Sequence, residues 1–379
     1  MHVDGNAKIK ILAVFGTRPE AIKLAPIIHT LKQRPDMTVA VCLTGQHRQM
    51  VKPVISFFNL NIDYDLDIMS QDQSLFDITA KALHGLQQTI ASFQPDWILV
   101  QGDTTTTFTS ALAGFYSGTK VAHIEAGLRI YHKYAPFPEE INRVLTTRLS
   151  DIHFAATDRA RDNLLKEGID EANIYVVGNP IIDAMLMTEE KIRSKSLDAR
   201  FQNAFQYLES DKRLILVTGH RRESFGQPFE DICKALKHLA QSHEVEIVYP
   251  VHLNPNVTEL VHRMLGDTCN IRLLEPVEYP MFLWLMQKSY LILTDSGGVQ
   301  EEAPAWGKPV VVMRETTERT ESLEAGVSVL AGTSTQAIVE AVERLLDDEQ
   351  HYQAMARQID LYGDGATRYR IADILMRRA

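Results

Sequence analysis

The chain has 379 residues, of which 45% are hydrophobic and 23% are charged, an ordinary composition for a globular protein with room for two domains. The formal net charge of −10 argues against a broad nucleic-acid-binding surface, so we expect no nucleic-acid partner. Strand-length apolar runs, a first segment without an apolar core and three cysteines without a CxxC pair predict a cytoplasmic protein with no membrane insertion.

In the first half of the chain, short apolar runs alternate with helical patterns. Strands made almost entirely of Val, Ile and Leu, each followed by a helix, are typical of parallel sheets buried on both faces. The predicted strands are Ile9–Phe15, Thr38–Leu43, Trp97–Gln101, Val121–Glu125, Ile152–Ala156 and Ile174–Val177, and the predicted helices include Ala21–Gln33, Gln46–Phe58, Leu75–Phe93, Phe108–Tyr116 and Glu140–Leu149.

The second half of the chain repeats this rhythm. Two series of this kind predict an α/β protein with two Rossmann-like, doubly wound domains whose strand-end loops face a central cleft. The predicted strands are Leu214–Thr218, Glu246–Pro250, Ile271–Leu274, Tyr290–Thr294, Pro309–Met313 and Ser328–Ala331, with closing helices at about Ala337–Leu346 and Gly365–Met376.

The domain boundary is expected near residues 178–191, where Gly-Asn-Pro leads into a polar helix. This gives an N-terminal domain at residues 1–180, a C-terminal domain at 181–360, and a last segment at 361–379 that packs back on the N-terminal domain. Residues 191–212 are the most polar stretch, which indicates a surface linker.

In doubly wound sheets, ligands bind beyond the carboxyl ends of the strands. The first predicted strand leads into Gly16-Thr-Arg-Pro-Glu20, which is not a GxGxxG dinucleotide fingerprint. Arg18 and Lys23 place cations near this strand end. Two interpretations stay open, namely a ligand-binding loop or a helix cap with two surface cations.

Asp103 follows the third predicted strand and precedes four consecutive threonines, Thr104 to Thr107. Asp103 is a natural helix N-cap, and a plain cap is one interpretation. Because threonines in a row are poor helix formers, the motif favours a second role, in which these side chains meet a ligand.

Two further carboxylates lie at or near strand ends. Glu125 closes an apolar strand, where a carboxylate is costly unless it is functional or paired, for example with Arg129. Glu139 and Glu140 suit the first turn of a helix, where the dipole favours acids. Because Asp103, Glu125 and Glu139 are expected to converge, they are candidates for acid–base catalysis.

Cationic side chains follow the first strand of the second half. His220, beside Arg221 and Arg222, is a candidate acid, base or phosphate ligand, and His252 is a weaker candidate. Arg319 adds a further cation after a later strand. The sequence has no His/Cys/Asp cluster with metal-ligand spacing, so we expect no metal.

The segment Thr294-Asp-Ser-Gly-Gly-Val-Gln-Glu-Glu302 predicts a strand, a tight turn and a helix start. The backbone of Ser296, Gly297 and Gly298 can approach a phosphate closely, and the helix dipole favours the negative charge. Glu302, one turn further, is placed to accept hydrogen bonds from sugar hydroxyls. The segment therefore indicates a nucleoside diphosphate site.

These motifs, from Phe15-Gly-Thr-Arg-Pro-Glu-Ala-Ile-Lys23 to Tyr362-Gly-Asp-Gly365, together resemble the bacterial non-hydrolysing UDP-N-acetylglucosamine 2-epimerase family over nearly the whole chain. The resemblance implies a glycosyltransferase-B type fold, usually a homodimer, and the interconversion of UDP-GlcNAc and UDP-ManNAc for bacterial surface polysaccharides. It also implies that no cofactor is needed.

The resemblance implies roles for named residues. Catalysis would depend on Asp103, Glu125 and Glu139, with His220 assisting the departure of UDP. The substrate-binding residues would be Arg18, Lys23, Phe282, Ser296, Gly297, Gly298, Glu302 and Arg319. Family members also bind a second substrate molecule as an activator, and the matching positions are Gln46, Gln49, Glu140, Arg221 and His252.

Three alternatives stay open at this point. A hydrolysing epimerase would release the free sugar, and a transferase of the same architecture would pass the sugar to an acceptor. A sugar-nucleotide sensor would bind without reaction, although retention of Asp103, Glu125, Glu139 and His220 argues against it.

Overall fold

The computed structural model describes residues 8–46, 48–70, 73–208, 211–219 and 225–378. The chain forms two compact units, unit 1 with Met1–Ala184 and Tyr362–Ala379, and unit 2 with Met185–Leu361. No helix within the described ranges is long and apolar enough to cross a membrane.

Unit 1 contains a seven-stranded sheet of strand order β3-β2-β1-β4-β5-β6-β7, and its strand pairs are parallel. Helices alternate with the strands along the chain. The elements are β1 Ile9–Phe15, α1 Arg18–Lys32, β2 Met37–Leu43, α2 Arg48–Phe58, β3 Tyr64–Asp65, α3 Leu75–Phe93, β4 Trp97–Gln101, α4 Thr105–Ser117, β5 Lys120–Ala126, α5 Glu139–Leu149, β6 Ile152–Ala155, α6 Asp158–Lys166, β7 Ile174–Val176 and the start of α7 Pro180–Ser194.

Unit 2 contains a six-stranded sheet of order β10-β9-β8-β11-β12-β13, again with parallel pairs. A large core cluster of this unit packs the apolar side chains on one face of the sheet against α9, α10, α14 and α15. The elements are α8 Leu197–Ala204, β8 Arg213–Thr218, α9 Gln227–Ser242, β9 Val245–Pro250, α10 Pro255–Leu265, β10 Ile271–Leu274, α11 Tyr279–Lys288, β11 Leu291–Thr294, α12 Gly297–Ala305, β12 Val310–Val312, α13 Thr320–Glu324, β13 Ser328–Leu330, α14 Thr335–Asp347 and α15 Glu349–Met355.

The last helix, α16 Thr367–Arg377, returns to unit 1 and packs on α1. The Asn179 amide donates to the Tyr362 carbonyl at 2.5 Å, so the outgoing and returning segments are hydrogen-bonded. A glycine is required at 178, where φ is +91° and a Cβ would lie 3.1 Å from the Gly363 Cα.

Both sheets have a switch point, where the strand order reverses direction. It lies between β1 and β4 in unit 1 and between β8 and β11 in unit 2. Ligands of doubly wound sheets bind outside the carboxyl ends of the strands at such points. We therefore expect a ligand site at the loops after these four strands.

The predicted α/β class with two Rossmann-like domains is confirmed, and each predicted strand is present with ends that shift by one residue or less. The two-residue β3 was missed because it is too short to give an alternating pattern. The predicted linker at 191–212 is wrong, since it contains the end of α7 and all of α8. Phe205 stacks on Trp284 with ring centroids 5.6 Å apart, which anchors α8 to α11.

Two histidines lie side by side in the core of unit 1. His123 of β5 and His153 of β6 are register partners, and both are buried. Burial lowers the pKa of His123 to about 4 and that of His153 to about 3, because desolvation disfavours the imidazolium. Both rings are therefore neutral at physiological pH.

This pair makes the stability of unit 1 dependent on pH. Because the folded pKa values lie below the ordinary value of 6.5, the stabilisation is complete above pH 6.5 and is lost as the pH falls. We expect the free energy of unfolding to drop by up to ~1.4 kcal/mol per pH unit for each histidine. His123→Gln or His153→Gln removes one titrating ring. The slope of the free energy of unfolding against pH should then fall by the contribution of one proton.

The measurement is denaturant unfolding between pH 7 and pH 4.5, followed by the fluorescence of Trp97 in a Trp284→Phe/Trp306→Phe background so that the signal comes from unit 1. His84→Gln, at an exposed position of the same unit, is the matched control and should leave the slope unchanged. An equal slope in wild type and in both core variants would contradict the expectation.

Candidate active site

The loop after β1 is fixed by a buried carboxylate. The Glu20 side chain accepts hydrogen bonds from the amides of Gly16 at 2.9 Å and Thr17 at 2.7 Å, which forms a capping box at the start of α1. Arg18 is the first residue of α1 and is half-buried. These hydrogen bonds fix the conformation of the loop between β1 and α1.

Lys23 lies on α1 and is buried, so the interpretation of this residue as a surface cation is wrong. Its ammonium forms an ion pair with the Glu125 carboxylate. Glu125 lies near the end of β5 with φ of 65°, a conformation that costs energy for a residue with a Cβ. The Gln101 side-chain amide at the end of β4 also donates to Glu125.

Arg129 was the alternative partner of Glu125, and the structure contradicts it. The Arg129 guanidinium forms a two-point contact with Glu167 of 2.7 and 3.0 Å. Glu125 of β5 is therefore held by groups from α1 and β4, and β4 is one of the two strands at the switch point of the unit 1 sheet.

Asp103 lies in the loop after β4, directly behind Gly102, whose φ is +75°. The predicted N-cap role of Asp103 is wrong, because Thr104 caps α4 by accepting from the Thr107 amide at 3.1 Å. The Asp103 carboxylate instead pairs with the Arg143 guanidinium, at 2.9 Å to Nε and 2.7 Å to Nη2. About a quarter of the Asp103 side chain (26%) stays exposed.

Arg143 of α5 joins two carboxylates. Besides Asp103, it contacts Glu140 at 3.0 Å, and Glu140 accepts from the backbone amides of Ile130 at 3.2 Å and Tyr131 at 2.8 Å. Glu139 is the first residue of α5 and is half-buried. The start of α5 is therefore tied to the loops after β4 and β5.

The threonines after Asp103 have an internal partner. The Thr104 hydroxyl donates to Glu20 at 2.5 Å, and Thr106 donates to Gln46 at 3.0 Å. The Thr107 hydroxyl donates to the Gln101 carbonyl at 2.6 Å and lies 3.1 Å from Glu20. Burial raises the pKa of Glu20. Glu20 was missed because a capping box explains its position in the sequence, whereas its contacts with Thr104 and Thr107 cross more than eighty residues.

His123 of β5 contacts the loop after β4 that carries Asp103. Its Nε2 lies 2.8 Å from the Gly102 carbonyl, which can only accept, so Nε2 carries the proton in the neutral ring. The position of Gly102, one residue before Asp103, is therefore set by the core of the sheet.

The predicted strand, turn and helix around residues 294–302 are present in unit 2 as β11 and α12. Ser296 is the N-cap residue, and its amide donates to the Thr294 hydroxyl at 2.9 Å. The amides of Gly297 and Gly298 open the helix, and the first turn of α12 contains no acidic residue. This helix end has the geometry that binds anions.

Arg319 lies against the start of α12. A Cβ at Gly297 would be 2.9 Å from the Arg319 Cζ, so a larger residue there would force the guanidinium to move. Arg319 pairs with Glu301 at 2.8 Å and also with Glu318, which in turn contacts Arg314 at 3.0 Å. The positive charge beside the helix end is thus held in place by buried carboxylates.

Glu302 is buried one turn into α12 and accepts a hydrogen bond of 2.5 Å from the Tyr279 hydroxyl. Tyr279 begins α11, and Phe282 of the same helix has a half-buried ring. Sequence reasoning missed Tyr279, since an aromatic residue at a helix start gives no signal for a polar contact 23 residues away.

The candidate activator residues are placed in different surroundings. Gln46 is bonded to Thr106, Gln49 is exposed on α2, and Glu140 is buried in the contacts given above. In unit 2, the His252 Nδ1 accepts from the Asn254 amide at 3.1 Å. His220 and Arg221 lie outside the described residues.

Carboxylates can bind metal ions, but a protein metal site needs several ligands close together. In the ranges the structure covers, no three His, Cys, Asp or Glu side chains are grouped so that they could hold a metal ion.

Two Rossmann-like sheets, carboxylates at the strand ends of one and an anion-binding helix end in the other define an α/β protein of the class that handles nucleotide sugars. The model of the UDP-N-acetylglucosamine 2-epimerase family matches residues 29–376. The chain is 52% identical over 369 residues to UDP-N-acetylglucosamine 2-epimerase of Salmonella typhimurium, with 97% of this chain and 98% of that one covered. The chain belongs to this family of isomerases.

Solved structures agree with this assignment. The UDP-GlcNAc 2-epimerase from Neisseria meningitidis bound to UDP-GlcNAc has a TM-score of 0.95 at 44% identity, covering 97% of this chain and 100% of that chain. The Methanocaldococcus jannaschii UDP-GlcNAc 2-epimerase in complex with UDP-GlcNAc and UDP has a TM-score of 0.85 at 34% identity, with the same coverage.

The buried ion pair between Lys23 and Glu125 gives a test of this geometry. Lys23→Met leaves the Glu125 carboxylate buried without its cation, and we expect a loss of about 3–5 kcal/mol in the free energy of unfolding. The double variant Lys23→Met/Glu125→Gln should recover much of that loss, because the remaining amide is neutral. Denaturant unfolding followed by Trp97 fluorescence measures both.

Lys32→Met is the matched control on the same helix. Lys32 is exposed and lies 4.0 Å from Asp63, so its removal should cost no more than about 1 kcal/mol. Equal losses for Lys23→Met and Lys32→Met would show that the Lys23–Glu125 contact carries no special energy.

Proposed function

We propose that the protein reversibly interconverts UDP-GlcNAc and UDP-ManNAc by inverting C2 of the sugar, without hydrolysis. The observation that carries the proposal is the pair of carboxylates at the carboxyl ends of β4 and β5 in unit 1, with Glu125 held by Lys23 and Asp103 held by Arg143. Membership of the epimerase family supports the same conclusion.

The chemistry explains why several acids are needed. The C2 proton of the sugar is not adjacent to a carbonyl group, so its simple removal is unfavourable. If a base takes this proton while the bond between C1 and the UDP oxygen breaks, the products are 2-acetamidoglucal and UDP. Return of a proton to the opposite face of C2, with attack of UDP on C1, gives the epimer and restores the enzyme.

Unit 1 supplies the groups for this exchange. We assign the acid–base work and the stabilisation of the cation-like C1 to Asp103, Glu125 and Glu139, and the assistance of UDP departure to His220. The Lys23 ammonium and the Arg143 guanidinium keep two of these carboxylates in fixed positions, which serves catalysis because no reorganisation is needed during the reaction.

Unit 2 supplies the groups that keep UDP. The amides of Ser296, Gly297 and Gly298 face the diphosphate, aided by the dipole of α12, and Glu302 accepts from the ribose. Phe282 stacks on uracil. We assign Arg18, Lys23 and Arg319 to substrate binding as well, because their positive charge suits a diphosphate.

We also propose a role for each domain, a quaternary structure and a cellular location. We assign acid–base chemistry to residues 1–180 and UDP binding to 181–360, in a homodimer that a second substrate molecule activates through Gln46, Gln49, Glu140, Arg221 and His252. The protein works in the cytoplasm and supplies ManNAc-type sugars for surface polysaccharides. Light scattering that returns a single subunit of 42.8 kDa would contradict the dimer.

The decisive experiment incubates the pure protein with UDP-GlcNAc in deuterated water and follows the sugar by NMR. We expect UDP-ManNAc and UDP-GlcNAc that both carry deuterium at C2, because the proton is exchanged with solvent between elimination and re-addition. Free sugar with UDP would show a hydrolysing enzyme instead, and an unchanged ligand that nevertheless binds would show a sensor.

Two isosteric variants test the assignment of the carboxylates. Asp103→Asn and Glu125→Gln should each lower kcat by about 10²–10⁴-fold, the usual contribution of general acid–base catalysis, while the Kd for UDP changes little. The measurements are single-turnover epimerisation and calorimetric titration with UDP.

Glu340→Gln, on α14, serves as a carboxylate control and should keep full activity. If UDP binding is lost in Asp103→Asn or Glu125→Gln, these residues belong to ligand binding or folding rather than to acid–base catalysis.

A further inference from the structure

Tyr279 is the first residue of α11, and its side chain is buried. Its hydroxyl lies 2.5 Å from Glu302 Oε1, on a helix that begins 18 residues later at Gly297. A short hydrogen bond to a carboxylate is stronger than one between neutral groups. This contact therefore determines where the Glu302 carboxylate points.

The orientation of the carboxylate follows from this bond. With Oε1 bonded to Tyr279, the other oxygen is turned toward the start of α12, where a Cβ on Gly298 would lie 3.8 Å from Glu302 Oε2. One oxygen is thus used for positioning, while the other lies beside Gly298 at the anion-binding end of the helix. A carboxylate without this restraint would have more rotamers to lose on binding.

The helix that carries Tyr279 also carries Phe282, three residues further on and so on the same side of the helix. Tyr279 therefore links the helix of the proposed uracil-binding aromatic to the helix of the proposed ribose-binding carboxylate. Both helices belong to unit 2, so the link does not depend on unit 1.

We propose that Tyr279 is a positioning residue that gives the nucleotide site its preference for ribose. Its hydroxyl fixes Glu302 so that the carboxylate accepts hydrogen bonds from the ribose hydroxyls of a uridine nucleotide. The inference rests on the proposed function in that Glu302 is the ribose-binding residue. It adds that ribose selectivity depends on a side chain that does not touch the ligand.

The test compares two ligands on two proteins by calorimetric titration. UDP and 2′,3′-dideoxy-UDP differ only in the ribose hydroxyls, and wild type should bind UDP at least about tenfold more tightly, as expected for hydrogen bonds to a charged acceptor. In Tyr279→Phe, this preference should fall to about one third or less. The Kd for 2′,3′-dideoxy-UDP should stay within about twofold, because this ligand cannot use Glu302.

Steady-state kinetics supply a second readout. Contacts to the ribose are the same before and during the reaction, so Tyr279→Phe should raise KM for UDP-GlcNAc by a similar factor and leave kcat unchanged. Glu302→Gln provides the reference value for a site with a weakened ribose contact.

The matched control is Tyr290→Phe in the same unit. The Tyr290 hydroxyl donates to the Leu345 carbonyl at 3.3 Å, so its loss should leave the preference for UDP unchanged. Thermal unfolding of both variants checks that each is folded.

Three outcomes would overturn the inference. The preference for UDP could be unchanged in Tyr279→Phe, or both ligands could lose affinity by the same factor, as a general loosening of the fold would cause. Wild type could also bind both ligands equally, which would remove the ribose contact altogether. In each case, deuterium incorporation at C2 by the wild type shows separately whether the proposed activity stands.

Discussion

The arrangement of this protein depends on one constraint, which is that a charge taken out of water must be given a partner. Glu125 is buried at the end of β5 with a positive φ, and Lys23 from α1 compensates its charge. Asp103 keeps part of its surface in solvent and is paired with Arg143. These bonds join α1, β4, β5 and α5, so the elements that surround the switch point are connected through the same side chains that offer the chemistry.

The buried charges of unit 2 also have partners, but here one cation is balanced by two carboxylates. Its cation, Arg319, is buried and balanced by Glu301 and Glu318. Its carboxylate, Glu302, accepts a hydrogen bond from the neutral hydroxyl of Tyr279. The start of α12 thus keeps an electropositive helix end without an acidic side chain in its first turn, which suits a ligand that brings its own negative charge.

The sequence predicted the helices and strands well, but it predicted the side-chain contacts between them poorly. Continuous Val, Ile and Leu runs predicted the strands within one residue, because burial on both faces leaves little choice of residue type. The cap at Asp103 was wrong, since Thr104 offers the same chemistry one position later. Lys23 and Glu125 are 102 residues apart and Glu20 and Thr104 are 84 apart, so no local pattern could have paired them. The stacking of Phe205 on Trp284 was not predicted for the same reason, because the two residues are far apart in the sequence. Phe205 also lies in a stretch whose polarity indicated a linker.

The contact between Gly297 and Arg319 limits which side chains position 297 can accept. The guanidinium occupies the volume in which any larger residue at 297 would place its Cβ. A substitution at 297 therefore collides with Arg319, while loss of Arg319 alone leaves Glu301 and Glu318 buried without one of their cations. A larger residue at 297 therefore requires the guanidinium to move away from its two carboxylates, so the width of this helix end and the buried charge cluster beside it are coupled.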